Sequence, residues 1–200
     1  MLISHKCRLI LASTSKIRKR ILDEAGLKFE VTAPLFDEDE GKRKSKLAPK
    51  KLAMFLAEQK ALSISFNEPD SYVIGSDQVC EFEEKEIPKS NNSDEAKKQL
   101  KKFNGKNHFQ NNAVVIALNG KIIFKNFSRV KMQMRKMTAK EIEKYVEIDQ
   151  TWGCAGSYKY ESLGKHLFEK ISGDYYSVLG LAIQPLLAFL HSKKLILIQN

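Results

Sequence analysis

Cysteine is scarce and scattered. Cys7, Cys80 and Cys154 are the only three in 200 residues, and no Cys-x-x-Cys pair occurs. An odd number at such spacing argues against a disulfide framework and against a zinc site, and it fits a reducing compartment, so a cytoplasmic location is the expectation. Long hydrophobic runs are missing as well: the longest, Leu179–Leu190, contains Gln184 and Pro185 and is too short to span a bilayer. His5, Lys6 and Arg8 break the first apolar stretch, so no signal peptide is read there and no membrane partner is expected. The ten glycines do not form a P-loop pattern. No helix-turn-helix, zinc or aromatic-rich RNA motif is visible, which argues against a specific nucleic-acid partner. Repeats and domain linkers are also lacking, so residues 1–200 read as one domain.

What the chain does have is positive charge. Thirty-four Lys+Arg against 24 Asp+Glu give a net charge of +10. This favours an anionic partner, whether a nucleotide, a nucleic acid or a membrane surface, without choosing among them. A hydrophobic content of 42% with 29% charged residues suits a soluble chain that buries a core.

Patterning predicts strands over Arg8–Ala12, Lys28–Ala33 and Ser71–Gly75, with Gln78–Phe82 reading as more strand. It predicts a helix over Ser15–Ala25 stopped by Gly26, and another over Leu52–Phe66. The acidic run Asp37–Glu40 and the basic run 42–51 read together as a solvated, mobile segment. A helix over 94–103 has Ser93 as its candidate N-cap. Asn119-Gly120 predicts a hairpin between Ala113–Leu118 and a strand from Lys121 to about Met134. Thr138–Ile148 opens with a capping box, a glycine-containing loop covers 153–164, a strand lies near His166–Ile171, and a last helix covers Gly180–His191. Alternating strands and helices followed by a long hairpin predict an α/β fold with a mixed sheet.

Residues 11–20, "LASTSKIRKR", set the hydroxyls of Ser13, Thr14 and Ser15 beside four cations where a strand gives way to a helix. On a helical wheel Arg18 shares the apolar arc of Ile17, Ile21, Leu22 and Ala25. Side chains tilt toward the helix N-terminus, so its guanidinium should reach back to Ser13, Ser15 and the free N–H groups. That combination makes a phosphate site; a plain solvated helix start is the alternative. Lys16, Lys19 and Arg20 point to solvent on the same wheel. Asp77 follows the apolar strand "YVIGS", where a carboxylate can hold a metal ion or act as a base on water, or serve simply as a turn residue. Glu38 could ligate a metal or be a solvated charge. Lys60 flanks the apolar face of its helix, and Lys89 follows Pro88 in a loop. Cys80 with one of His5, His108, His166 or His191 is a weaker, thiol-nucleophile reading.

Four stretches in order, "LILASTSKIRKRIL", "VIGSDQVC", "CAGSYKYESLG" and "GDYYSVLGLA", span nearly the whole chain. Together they resemble the Maf family of nucleoside triphosphate pyrophosphatases, and the second and third most resemble its 7-methyl-GTP branch. The resemblance implies a long mixed α/β sheet with a central cleft, and often a homodimer. It implies hydrolysis of a nucleoside triphosphate to monophosphate and pyrophosphate with Mg²⁺ or Mn²⁺. By the same resemblance Asp77 would be the catalytic carboxylate, with Glu38 beside it on the metal. Ser13, Ser15, Arg18, Lys19, Lys60 and Lys89 would grip phosphate. Ile17, Gln78 and Glu161 would fall at positions linked to base choice. The chain departs from the family pattern at Lys19 (usually Arg), Ile17 (Trp in this branch), "IPKS" around Lys89 (usually "GKP"), Ala182 (usually Pro) and Asn112-Ala113 (usually Thr-Gly).

Overall fold

The computed structural model describes residues 3–198. The chain runs β1 (Ile3–His5), β2 (Arg8–Ala12), α1 (Lys16–Glu24), β3 (Glu30–Thr32), α2 (Glu38–Ser45), α3 (Pro49–Ser65), β4 (Ser71–Phe82), β5 (Lys85–Ile87), α4 (Ser93–Phe103), β6 (Asn107–Leu118), β7 (Lys121–Met134), α5 (Ala139–Asp149), a 3-10 turn (Leu163–Leu167), β8 (Phe168–Ser172), α6 (Tyr175–Leu179), α7 (Ile183–Ser192) and β9 (Ile196–Ile198). Seven strands make one mixed sheet in the order β3-β2-β4-β6-β7-β8, with β5 pairing off β4. β2 is parallel to β3 and β4, whereas β4, β6, β7 and β8 run antiparallel in succession. β1 and β9 form a separate antiparallel ribbon. The expected α/β class with a mixed sheet flanked by helices is the one adopted.

Period-two alternation splits each inner strand between two cores. Leu9 and Leu11 join Ile74, Val114 and Ile116 on one face, closed by Ile21 and Leu22 of α1 and by Leu186 and Leu190 of α7. Ile10 and Ala12 join Val73, Val115 and Ala117 on the other, under Leu52, Leu56, Ala57 and Ala61 of α3. A third cluster sets Val130, Met132 and Met134 beneath α4 and α5. Gly75 is what lets β4 lie against α3: a Cβ there would come 2.3 Å from the Ala57 carbonyl oxygen and 2.8 Å from the Ala61 Cβ. Among the described residues no helix is long and apolar enough to cross a membrane.

Several local expectations are corrected. The charged segment 37–51 is not a mobile loop but α2 and the start of α3. Asp37 caps α2 by accepting from the Glu40 N–H at 2.8 Å. The acidic residues lie in its first turn and the basic ones in its last, which complements the helix dipole. Glu38–Lys42 and Glu40–Lys44 pair across one turn, and Pro49 opens α3 at the position where it is tolerated best. Asn92, not Ser93, caps α4. β6 begins at Asn107 rather than Ala113, and His166 lies in the 3-10 turn instead of β8. The last helix begins at Ile183 rather than Gly180, because Gly180 at φ +108° ends a separate short helix, α6, that was not expected. The short strands β1, β5 and β9 were not foreseen. The Asn119-Gly120 turn has both residues at positive φ, as its sequence predicts.

Candidate active site

Asp77 does not end its strand, as first read, but lies inside β4. Its neighbour β2 pairs with β4 only as far as Leu11 opposite Ile74. Asp77 therefore sits just past the carboxyl end of the parallel pair, where α1 begins. There Ser15 caps α1 by accepting from the Arg18 backbone N–H at 3.4 Å. The Ser13 hydroxyl accepts from the Ser15 N–H at 3.1 Å and from Arg18 Nη1 at 3.5 Å. Arg18 Nε donates to the Gly180 carbonyl at 2.8 Å. The guanidinium does reach back along the apolar arc to Ser13, whereas Ser15 takes its backbone instead. Burial lowers the Arg18 pKa against the pull of Asp77 and Glu38, and a guanidinium stays cationic through such a shift.

Across the cleft, Asp77 and Lys60 are only 4% and 8% exposed. Lys60 Nζ donates to Asp77 Oδ1 at 2.5 Å and to Glu38 Oε2 at 2.6 Å. One ammonium thus joins a carboxylate from β4 to one from the first turn of α2. Burial disfavours the charged form of Glu38, yet Lys60, with Lys42 and Lys89 behind it, outweighs burial and holds the carboxyl below its usual range. Lys89 is exposed at the rim. Arg18, Lys60 and Lys89 against Asp77 and Glu38 leave a surplus of one positive charge, well short of the charge on a triphosphate. The carboxylate oxygens that Lys60 leaves free, Asp77 Oδ2 and Glu38 Oε1, are hard donors that suit a divalent cation of the Mg²⁺ kind, which takes one or two carboxylates and completes its shell with water and substrate phosphates. Among the described residues no three His, Cys, Asp or Glu gather into a closed metal cage.

Two adjoining cavities share Ser15, Arg18, Lys60, Lys89 and Gly153. One, of about 440 Å³, includes Ser13, Thr14, Phe36 and Glu38. The other, of about 210 Å³, includes Ile17, Asp77, Gln78, Tyr158, Tyr160 and Glu161. The cations therefore stand at the junction, with a carboxylate to either side and an aromatic recess beyond Asp77. Gln78 Nε2 donates to the Val178 and Ser177 carbonyls at 2.8 and 3.2 Å. Only an amide nitrogen can face two carbonyls, so the oxygen is the group Gln78 has left for a ligand. The Tyr158 hydroxyl is tied to Gln110 at 2.7 Å and His108 at 2.9 Å. Burial raises the Tyr158 pKa, and burial also takes His108 down to about 3.

The chain matches the Maf-like protein family over residues 8–193. It belongs to that family. A Bradyrhizobium diazoefficiens protein named nucleoside triphosphate pyrophosphatase is 41% identical over 194 residues, 96% of both chains. A Rhodopseudomonas palustris (strain BisB18) protein of the same name is 37% identical over 191 residues, 94% of this chain and 95% of its own. A Brucella suis protein named 7-methyl-GTP pyrophosphatase is 37% identical over 194 residues, 94% of this chain and 98% of its own.

Of the positions that the Maf resemblance singled out, Ser13, Ser15, Arg18, Glu38, Lys60, Asp77, Lys89, Ile17, Gln78 and Glu161 all line the two cavities. Lys19 does not. Its Nζ pairs with Asp23 at 2.6 Å on the exposed face of α1 and lies over the Phe29 ring, where the wheel put it. Cys80 is no nucleophile: it is buried in the core, and burial pushes its thiol well above the ordinary range. Sequence reasoning missed the Gly153–Ala155 wall and the contribution of Val178 and Leu179. The glycine-containing loop was seen, but no local signal says that it folds back over β4.

Proposed function

We propose that this Maf-family chain hydrolyses a nucleoside 5′-triphosphate to the monophosphate and pyrophosphate, with 7-methyl-GTP as the preferred substrate. The observation that carries the reading is Lys60 joining the buried Asp77 to Glu38 at the junction of the two cavities, facing Arg18 and the Ser13–Ser15 helix start. The names of the relatives support the reaction class.

In this reading the triphosphate lies across the junction. Arg18, Lys60 and Lys89 offset the charge that builds on the phosphate oxygens, aided by Ser13, Ser15 and the α1 N-terminus. Lys60 occupies Asp77 Oδ1, which leaves Oδ2 to orient a water molecule and take its proton as the water oxygen bonds to phosphorus. The bridging P–O bond breaks and pyrophosphate leaves. Such transfers ask little covalent chemistry of the protein; positioning and electrostatics dominate. Asp77 and Glu38 would hold Mg²⁺ or Mn²⁺, which supplies further charge neutralisation on the phosphates.

Base choice falls to the recess. The Gln78 oxygen and the Glu161 carboxylate are acceptors, matched to the N–H donors of guanine's Watson–Crick edge. N7 methylation gives the ring positive character, which Glu161 and the Tyr160 face favour. Ile17 provides no aromatic surface, so affinity should be modest. A pyrophosphate-release assay over a nucleotide panel, with Mg²⁺ or with EDTA, tests this. The expected order of kcat/KM places 7-methyl-GTP above UTP and dTTP, with activity lost in EDTA. UTP or dTTP ahead overturns the base assignment, and no turnover of any nucleotide overturns the reaction.

A further inference from the structure

We propose that Asn112 is a positioning residue that sets Arg18 against Asp77 through the Gly180–Ala182 turn. Asn112 lies on β6 opposite Gln78 and is fully buried. It lines neither cavity. Its Nδ2 donates to the Asp77 carbonyl at 3.1 Å, and its Oδ1 accepts from the Ala182 N–H at 3.1 Å. A carbonyl on one side and an N–H on the other fix the amide's orientation.

The turn it holds is the one that holds Arg18. The Gly180 carbonyl accepts Arg18 Nε at 2.8 Å, and the Ser76 hydroxyl, one residue before Asp77, shares its single proton between that oxygen at 3.0 Å and the Ala113 carbonyl at 2.8 Å. Gly180 has φ +108°, and a Cβ there would come 3.2 Å from Gln78 Oε1. A side chain is therefore disfavoured at this point of the turn. Asn112 pins the turn from β6, Ser76 supports it from β4 with a shared proton, and Arg18 hangs from it. The cation and the carboxylate are spaced by this frame and not by direct contact. Loss of the amide would take from the buried Ala182 N–H its acceptor and free the turn; small displacements of charged groups in such sites cost up to about 100-fold in rate.

The claim rests on the reaction proposed above, and the test separates the two. Asn112→Val and Asn112→Thr are nearly equal in shape, but only threonine carries a hydroxyl, which lies one bond nearer the backbone than the amide and can restore part of its bonding. Asn112→Val should lower kcat/KM by about 10- to 100-fold, and Asn112→Thr should recover part of that. Equal losses in both, or wild-type turnover in Asn112→Val, overturn the claim. If Asn112→Val does not fold, Ser76→Ala tests the same turn: several-fold slower turnover in a chain that still unfolds cooperatively is expected, and unchanged turnover is contrary. If the wild type turns over no nucleotide, the proposed reaction fails. The clamp is then read from the affinity for a non-hydrolysable nucleoside triphosphate. Asn112→Val should weaken it about tenfold and Asn112→Thr less than that; equal affinities count against the clamp.

Discussion

Lys60 and Asp77 form one buried pair, yet removing either partner should have different consequences. In Lys60→Met, Asp77, only 4% exposed, loses the donor held at 2.5 Å. At an effective dielectric of 20 the bare attraction over that distance is about 6–7 kcal/mol. Releasing the ammonium from its own desolvation offsets part of this, so the net loss should be about 3–5 kcal/mol. In Asp77→Asn the ammonium keeps Glu38 at 2.6 Å, and the amide oxygen still accepts. The loss should then be about 1 kcal/mol. For a chain of this length that is a fall in Tm of roughly 6–20 °C for Lys60→Met against roughly 2–4 °C for Asp77→Asn. Turnover should fall in both, and in Asp77→Asn by about 10²–10⁴, the contribution of a positioned base. Scanning calorimetry with a pyrophosphate-release assay on both variants decides the matter. Equal losses of Tm, or Asp77→Asn turnover within a few-fold of wild type, would refute the reasoning.

Arg18→Ala should cost about 10²–10³ in rate, whereas Lys19→Ala and Arg20→Ala should cost little, because those two cations pair with Asp23 and Glu24 on the exposed face of α1; equal effects would place the helix register wrongly. Glu161→Gln should erode the preference for 7-methyl-GTP over GTP more than it lowers turnover of GTP, measured as the ratio of the two kcat/KM values; an unchanged ratio would remove Glu161 from base selection. His108 has a folded-state pKa of about 3, below the ordinary value of about 6.5. Between those two values the unfolded chain takes up a proton that the folded chain refuses, so this contribution to stability is full above pH ~6.5 and falls as pH drops toward 3. Replacing His108 with the non-titrating Gln should flatten urea-unfolding stability over that window, and an unchanged slope would count against the burial of a neutral imidazole.

Much of the site was legible because its logic is local. The helical wheel placed Arg18 on the buried arc and Lys19 on the solvent face from spacing alone, and the structure has both there. Asp77 stood out for a carboxylate after an apolar strand, although the strand runs on; what ends at that point is its neighbour β2. Lys60 was read as a flanking cation because its partners lie 17 and 22 residues away in sequence, on other elements, where no periodicity connects them. The segment around Glu38 looked like a loop because blocks of opposite charge usually are one. Its helix depends on a cap, a charge order that suits the dipole, and pairs one turn apart, which are weak signals singly and sufficient together. The short helix α6 escaped notice because five residues, Tyr175–Leu179, are too few for a helical period to show, and the expected start of the last helix falls on the glycine that ends α6.

The central claim is the reaction at the Asp77–Lys60–Glu38 junction, and product analysis tests it most directly. The wild-type chain is incubated with 7-methyl-GTP and Mg²⁺, and the products are resolved by ion-exchange chromatography beside an Asp77→Asn control. One pyrophosphate for each nucleoside monophosphate, lost in the control, is the expected result. Orthophosphate with nucleoside diphosphate, or equal product from Asp77→Asn, would contradict it.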